Sequence, residues 1–516
     1  MFSIDLESAY HHVEMHRSSW DYLGFSWQGC YYVFTVLPFG LSTAGWVFTK
    51  LMKELVGHWR RHGVRCIAYL DDLLFCVQPG ADGCTGLFYA VQRQVLGDIQ
   101  SAGLSVSVSK LKLDPSTNRE FLGWIVDTAN NRILVTATRR AELFVTLDDL
   151  CAAPRHAPAK RLARACGQLV SMRAALGQAS GMYSREMYRV LDSRRTWRSH
   201  LVLDAACLQE IQLWQRQFDR FHGTQPIWSV TKEEAMRIWS DASDFGWGGH
   251  LGESADASQA LAQGYLTPLQ RGTSSTYREG VALLNVVQSF PQLNGRKVRA
   301  FVDNQAWQFI WSKGSSVPAI NDLAKRIFEE AFARAITLTV QWVPRDLNQQ
   351  ADHLSKVYDS NDWMLNDRFF RSLGDLWGAH TVDRFASHLN HQCPRFNSLH
   401  YCPGTEAVNA FTQDWSGPEN NNWMNPPFGL IGKVLSHMRH CQAVGTLICP
   451  EWQKRPWWPM LCPDGHHFAS FVVDWRWLPL SHDLFRPGPL QGNRHGVGTP
   501  RWRVCALRLD FRSSSQ

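Results

Sequence analysis

No uninterrupted apolar stretch among the 516 residues approaches the roughly 20 that a helix needs to span a bilayer. The opening residues, Met1-Phe2-Ser3-Ile4-Asp5-Leu6-Glu7, lack the basic region and apolar run of a secretory signal, so no membrane partner or export is expected. The 13 cysteines are odd in number and have no framework spacing. That excludes a disulfide scaffold and implies free thiols in a reducing compartment, cytoplasmic or nuclear. His391, Cys393, His400 and Cys402 form two His-x-Cys steps, but structural zinc usually takes paired ligands about two to four residues apart. Ordinary packing is the expectation there. Charged residues are only 19% and the net charge is +7, a modest basic excess that suits a polyanionic partner without demanding one. Internal repeats and low-complexity linkers are absent too.

What is present is a globular composition, 45% hydrophobic, in a chain long enough for about three or four domains. Residues 1 to about 130 alternate short apolar runs with polar turns. From about 135 to 225 the pattern is helical and arginine-rich, with Leu162, Ala165, Cys166 and Leu169 at helical spacing and the basic residues mostly opposite. A charge run is by default a solvated helix face; between two nucleic-acid enzymes it becomes a duplex-gripping thumb and connection. A new pattern begins near Lys232: strand-like Ile238-Trp239-Ser240-Asp241, glycine-rich Gly246-Trp247-Gly248-Gly249, a helix around Glu279, and a strand Val298–Val302 ending at Asp303. An amphipathic helix after Pro318 and a strand from Ile336 to Val343 complete an order that implies a mixed sheet flanked by helices. From about Asp375 the chain turns rich in Trp, Pro, His and Asn. The expected divisions are therefore 1–130, 131–230, 231–358 and 375–510.

Cys66-Ile67-Ala68-Tyr69-Leu70-Asp71-Asp72-Leu73-Leu74-Phe75-Cys76-Val77 sets two acids amid apolar residues. Buried strands do not tolerate bare acids, so the pair belongs at an exposed hairpin turn. Asp5 ends another apolar run, and beside Asp71 it would complete a carboxylate cluster able to hold two divalent cations for phosphoryl transfer. An Asp-Asp turn alone is usually only a turn. Its surroundings change that. Tyr69-Leu70-Asp71-Asp72 resembles the signature hairpin of reverse transcriptases, Phe2–Tyr10 their first metal-binding motif, and Leu37-Pro38-Phe39-Gly40-Leu41 their template- and nucleotide-contacting motif. Lys110 after Gly103-Leu104, and Phe121-Leu122-Gly123-Trp124, resemble the later palm motifs and the primer grip. The resemblance implies that Asp5, Asp71 and Asp72 bind metal and that Phe39, with Gly40, packs against the nascent base pair. Tyr10 would lie under the sugar, where it disfavours a 2′-hydroxyl, and Lys110 belongs to the nucleotide site. The family carries a fingers segment before its first aspartate, whereas Asp5 stands almost at the start here. This chain alone is therefore expected to polymerise poorly.

Asp241, Glu279, Asp303 and Asp352 each stand at a strand end or helix start, where a second cluster can form. Each acid alone is more often a surface residue or a cap. Their settings, Trp239–Ser243, Thr276–Glu279, Phe301–Asn304 and Ala351–Ser355, together resemble a retroelement ribonuclease H, which implies four metal-binding catalytic acids. The loop Arg345–Gln350 lacks the histidine that some of these enzymes use in product release.

Asn425-Pro426-Pro427-Phe428 is the sharpest short motif, although such a tetrapeptide alone is more often a stiff turn. With Asp383-Arg384-Phe385-Ala386-Ser387, Cys393-Pro394-Arg395-Phe396, Asp414-Trp415 and Trp423-Met424 it resembles phage-type DNA adenine methyltransferases, including the domain carried by DIRS-type retrotransposons. The likeness implies that Asn425 and Pro426 accept bonds from the target amine, with Pro427 completing the motif, while Phe428 stacks on a flipped-out base. S-adenosylmethionine would be its cofactor, with Asp383 and Phe385 as candidate contacts. Trp457-Trp458-Pro459 either stacks bases or fills a core.

The implied fold is a multidomain α+β and α/β chain: a polymerase palm with fingers largely missing, a helical thumb/connection, a ribonuclease H-like mixed sheet and a methyltransferase-like α/β domain. Its implied partners are an RNA template, a DNA primer, an RNA–DNA hybrid and deoxynucleoside triphosphates, with Mg2+ (or Mn2+) paired at each nuclease or polymerase site. Two competing readings are a non-catalytic nucleic-acid-binding relic and a ribonuclease H with a vestigial palm.

Overall fold

Phe2, Ile4 and Leu6 are buried while Ser3 and Asp5 between them are less so, the period-2 alternation of a strand with one covered face. In the computed structural model, which describes residues 1–78, 85–228, 235–252, 258–357, 363–487 and 498–512, this strand is Phe2–Asp5. It pairs antiparallel with Asp72–Cys76, which pairs in turn with Arg65–Tyr69. Two helices cover the sheet. Ala44–Arg61 buries Phe48, Met52, Val56 and Trp59, and Gly86–Ser101 buries Phe88, Gln92, Val95 and Ile99, both stripes at i, i+4, i+7 or i+8 spacing. With Phe2, Ile4, Leu73 and Phe75 they form one core cluster.

A three-stranded meander follows, Asn118–Phe121, Trp124–Asp127 and Arg132–Val135. The division expected at 130/131 falls inside it, in the turn where Asn131 has φ of 53°. Turn chemistry there resembles a linker but closes a hairpin. Helices Ala137–Ala152, Ala159–Ser171 and Ala205–Phe221 come next, and Leu162, Ala165, Cys166 and Leu169 are buried as their spacing requires. Much of the arginine face is matched by acids: Arg140 pairs with Asp219 at 2.7 Å, Arg161 with Asp149, and Arg189 with Glu186 and Asp204. Met1–Ser180 and Glu186–Thr231 make up one compact unit; Gly181–Arg185 and Lys232–Gln516 make up the other.

Among the described residues the second unit holds two large sheets and one two-stranded pair. The first has five strands in the order Ser258–Tyr265, Gly246–Gly252, Met236–Ala242, Lys297–Val302 and Thr337–Trp342, antiparallel over the first three and parallel over the last three. This is the mixed sheet expected from the element order. Helices Ser275–Ser289, Pro318–Ala333 and Gln349–Ser355 accompany it. The glycine run has a steric reason: a Cβ on Gly248 would stand 2.4 Å from the Ser355 nitrogen, so Gln349–Ser355 lies directly on the strand.

The second sheet has seven strands in the order Ala407–Val408, Arg395–Ser398, Val382–Asp383, Asn421–Met424, Val444–Pro450, Val504–Asp510 and Val472–Trp477. Of these, Val504–Asp510 runs antiparallel to both its neighbours, and the other pairings are parallel. Trp363–Leu365 pairs with Phe485–Pro487 and shares a core with Trp423 and Ile448. The start expected near Asp375 therefore falls within the helix Asp367–Trp377 rather than at an edge. The divisions expected at 230/231 and at 358 lie outside the described residues.

Every described cysteine is a free thiol, Cys84 lying outside the described residues. Among those residues no helix is long and apolar enough to cross a membrane. His391, Cys393, His400 and Cys402 do not converge as metal ligands among the described residues: Cys393 and Cys402 are buried, and His391 Nδ1 meets the Cys393 carbonyl at 2.9 Å.

Candidate active sites: two carboxylate clusters and a proline-rich turn

Asp5 and Asp72 are register partners across the first antiparallel pair, and Asp71 sits in the turn beside them. Leu70, at φ 53°, makes that turn tight, and the Leu6 N–H donates to the Asp71 carbonyl at 3.0 Å. Three acids thus meet at one end of a sheet whose body is apolar. Lys110 reaches them from a separate loop, its Nζ donating to both Asp5 oxygens at 3.2 and 3.1 Å. The loop is fixed by the Ser107 N–H, which donates to the Asp5 carbonyl at 2.8 Å. Burial, then the charges of Asp71 and Asp5, pushes the Asp72 carboxyl above its ordinary value. A cavity of about 370 Å³ opens over the acids, lined by Asp5, Tyr10, Phe39, Asp71 and Lys110 among others. The Tyr10 ring lies 5.1 Å from Phe39 and 5.6 Å from Phe48, so its orientation is set by packing. Gly40, at φ 89°, follows Phe39 in the loop that leads to Ala44–Arg61. Each of the seven residues expected here apart from Asp72 and Gly40 lines this cavity.

The second cluster gathers at the carboxyl ends of two adjacent parallel strands. Asp241 lies near the end of Met236–Ala242, Asp303 just past Lys297–Val302, and Glu279 on the helix Ser275–Ser289. One carboxylate oxygen from each lies within 4.8 Å of the others. Asp241 and Glu279 are buried, and Glu279 Oε2 accepts no hydrogen bond. A buried, unpartnered carboxylate oxygen is costly unless a cation balances it, and three hard oxygen donors suit Mg2+. Burial pushes Asp241 up to about 6 against the Ser355 hydroxyl, which donates to its Oδ2 at 2.7 Å. Burial, then the charges of Asp241 and Asp303, pushes Glu279 well above the carboxylate range; burial also raises Asp303.

Asp352, the fourth acid expected here, stands outside that trio. Its carboxylate accepts from Arg345 at 2.6 Å and from Lys356 at 2.7 Å. Burial pulls its pKa upward, but these two cations outweigh it and hold the group below its usual value. Ser355 was not foreseen. Its position three residues beyond Asp352, on the same helix face, was the available signal.

Asn425 follows directly on the strand Asn421–Met424. The strand order of the seven-stranded sheet reverses between Val382–Asp383 and Asn421–Met424, and in open α/β sheets ligands sit outside the strand ends at such a reversal. Asn425 is buried, its Nδ2 donating to the Trp363 carbonyl at 3.3 Å, while its Oδ1 accepts no hydrogen bond. Pro427 and Phe428, but not Pro426, line a cavity of about 660 Å³ with Trp452, Arg455 and Trp457. Trp457 and Trp458 are also members of the surrounding hydrophobic core. Asp383 and Phe385 are not in the cavity lining. Asp383 is buried and accepts the N–H groups of Phe385 and Gln392 at 3.2 and 3.1 Å; Phe385 packs on Phe411 and Trp415.

Residues 1–126 match the reverse transcriptase (RNA-dependent DNA polymerase) family. They are a reverse transcriptase domain. A stretch of 126 residues is 32% identical to the retrovirus-related Pol polyprotein from transposon opus of Drosophila melanogaster, covering 24% of this chain and 12% of that protein. The reverse transcriptase match thus spans about an eighth of that relative's length. Among solved structures, the foamy viral protease-reverse transcriptase dRH in complex with double-stranded DNA aligns at a TM-score of 0.41 and 14% identity, over 66% of this chain and 56% of that one. The foamy viral protease-reverse transcriptase in complex with an RNA/DNA hybrid aligns at 0.39 and 15%, over 71% and 46%.

Proposed function

We propose that this chain is part of the replication machinery of a retrotransposon of DIRS type, copying RNA into DNA in its palm and cleaving the RNA of the resulting hybrid at its second cluster. The observation that carries the polymerase reading is the meeting of Asp5, Asp71 and Asp72 beneath a cavity walled by Tyr10, Phe39 and Lys110. The reaction joins the primer 3′-oxygen to the α-phosphorus of a deoxynucleoside triphosphate and releases pyrophosphate. Paired Mg2+ ions, or Mn2+, would lower the barrier by stabilising charge on the attacking and leaving oxygens. The three aspartates supply hard oxygen ligands, Lys110 supplies positive charge toward the triphosphate, and Tyr10 with Phe39 shapes the sugar and base pocket. Metal-dependent primer extension on an RNA template, abolished by Asp71→Asn, tests this. Extension undiminished by that change would overturn it.

Hybrid cleavage is supported by the convergence of buried Asp241 and Glu279 with half-buried Asp303. In this reading Asp352, now paired with Arg345 and Lys356, would be a fourth carboxylate available to the metal. Cleavage of the RNA strand of a hybrid, lost in Asp303→Asn, is the test. The proposed modules are a palm, a helical thumb/connection, a ribonuclease H sheet and a C-terminal domain.

One observation favours a further activity, DNA adenine methylation: the unpartnered Oδ1 of Asn425 at the sheet reversal, beside a cavity faced by Phe428. The adenine N6 would take the methyl group of S-adenosylmethionine as the sulfur–methyl bond breaks, with S-adenosylhomocysteine leaving and one amine proton passing to solvent. Asn425 and the Pro426 carbonyl would draw on that amine's hydrogens. Label transfer from the cofactor to adenine, lost in Asn425→Ala, tests it; no label on adenine removes it.

A further inference from the structure

The helix Gln349–Ser355 is fixed to the five-stranded sheet at both of its ends. At its start the Asn348 side chain donates to the Ser240 carbonyl at 2.9 Å, and the Asp352 N–H donates to the Asn348 carbonyl at 3.0 Å. At its close the Ser243 hydroxyl donates to the Ser355 carbonyl at 2.6 Å. Glycine lets the two backbones touch there: a Cβ on Gly246 would stand 2.6 Å from the Ser355 carbonyl oxygen. The place of Ser355 beside the strand Met236–Ala242 is therefore set by backbone contacts, and its side chain has little freedom of approach.

Ser355 is buried, with Oγ 2.7 Å from Asp241 Oδ2 and 2.9 Å from the Asp352 carbonyl oxygen. A hydroxyl has one hydrogen to donate. The carboxylate is the nearer acceptor and, when ionised, the stronger, so the hydrogen goes to Asp241. One hydroxyl thus stands between the side chain of Asp241 on the strand and the backbone of Asp352 on the helix. The terminal torsion of an aspartate is soft, and a carboxylate without a donor turns through a wide range. A donor on Oδ2 stops that rotation and leaves Oδ1 as the oxygen still free to act. Glu279, buried beside it, has no such brace on Oε2, which accepts no hydrogen bond.

We propose that Ser355 is a positioning residue of the second cluster, its hydroxyl holding one oxygen of the Asp241 carboxylate so that the other is presented to a divalent cation. This role rests on the ribonuclease H reading of the cluster and adds to it a residue that touches neither metal nor hybrid. Carboxylate ligands depend on such bonds: removing the group that orients a ligand costs about 10–100-fold in metal affinity or activity.

The test is Mn2+ binding by the full chain without nucleic acid, followed by the paramagnetic resonance of the free ion. Ions bound by the wild type and not by Asp303→Asn are those of this cluster. Ser355→Ala is expected to weaken their binding about 10–100-fold, and Ser355→Cys, close in size but a weak donor, to fall between the two. Hybrid cleavage by Ser355→Ala should need correspondingly more Mg2+ to reach half its maximal rate. Ser243→Ala separates orientation from packing, because it frees the same end of the helix and leaves the donor on Asp241; it should keep most of the Mn2+ affinity. Unchanged affinity in Ser355→Ala, or an equal loss in Ser243→Ala, would overturn the role of Ser355 and leave the reading of the cluster standing. A wild type that binds no Mn2+ through Asp303 would remove both.

Discussion

Lys110 and Asp5, 105 residues apart in sequence, form an ion pair at the mouth of the first cavity, with Nζ 3.1 Å from Oδ2. The pair puts a positive charge where the carboxylates of Asp5, Asp71 and Asp72 converge, and its hydrogen bond to Asp5 raises the Lys110 pKa. A cation is thus already favoured at this place by the chain itself. In the proposed reaction Asp5, Asp71 and Asp72 would hold the metal ions and Lys110 would present its charge to the triphosphate.

Asp71→Asn should lower single-turnover primer extension by about a thousandfold, the scale of several kcal/mol of charge stabilisation. Asp71 lies half-buried in the turn at the end of the sheet, outside the apolar core cluster, so the unfolding temperature should stay nearly unchanged. Rapid-quench extension with a thermal melt on the same sample checks both.

Tyr10→Val should relax sugar discrimination. The ring is braced by Phe39 and Phe48, and in the proposed site it would meet a 2′-hydroxyl. Removing it is expected to raise ribonucleotide relative to deoxynucleotide incorporation by about 10- to 200-fold, the range for a steric contact of this size. Competition assays measuring the two ratios of kcat/KM decide it.

Metal-free stability should depend on the state of Asp241. Its folded pKa of about 6 lies above the ordinary 3.8. The folded state therefore holds the proton more tightly, and this contribution is fully present below about pH 3.8 and lost as pH rises through 6. The loss amounts to ~3 kcal/mol, to which Glu279 and Asp303 add in the same direction. Comparing wild type with Asp241→Asn by denaturant unfolding at pH 5 and above pH 7 isolates it. Millimolar Mg2+ should flatten the wild-type dependence, because the metal substitutes for the proton.

Gly248→Ala should cost about 1–3 kcal/mol, since the added methyl meets backbone at Ser355 and side chain at Leu354. The helix that must yield carries Asp352, so hybrid cleavage should fall more than stability alone explains. A parallel measurement of unfolding and cleavage at a temperature well below the melt checks this.

How much was legible followed from how local each signal is. The Asp71–Asp72 hairpin could be read because two acids inside an apolar run have one place to go, and Asp5 because it ends a short apolar run of its own. The five-stranded sheet could be read from its element order. The pairing of Arg161 with Asp149 could not, because periodicity within one helix says nothing of the acids on its neighbour. Asp352 has the setting expected of a fourth cluster acid, yet two cations close by in sequence hold its carboxylate, a competition that spacing does not rank. The seven-stranded sheet was hidden for another reason. Strands as short as Val382–Asp383 and Ala407–Val408 are too brief to display any period, and their order is fixed by packing alone.

The measurement that bears most directly on the whole account is anomalous scattering from crystals of the full chain grown with Mn2+. The account predicts one set of peaks beside Asp5, Asp71 and Asp72, with Lys110 displaced from Asp5, and another among Asp241, Glu279 and Asp303. Crystals saturated with Mn2+ that show neither set, and that keep Lys110 on Asp5, would contradict it.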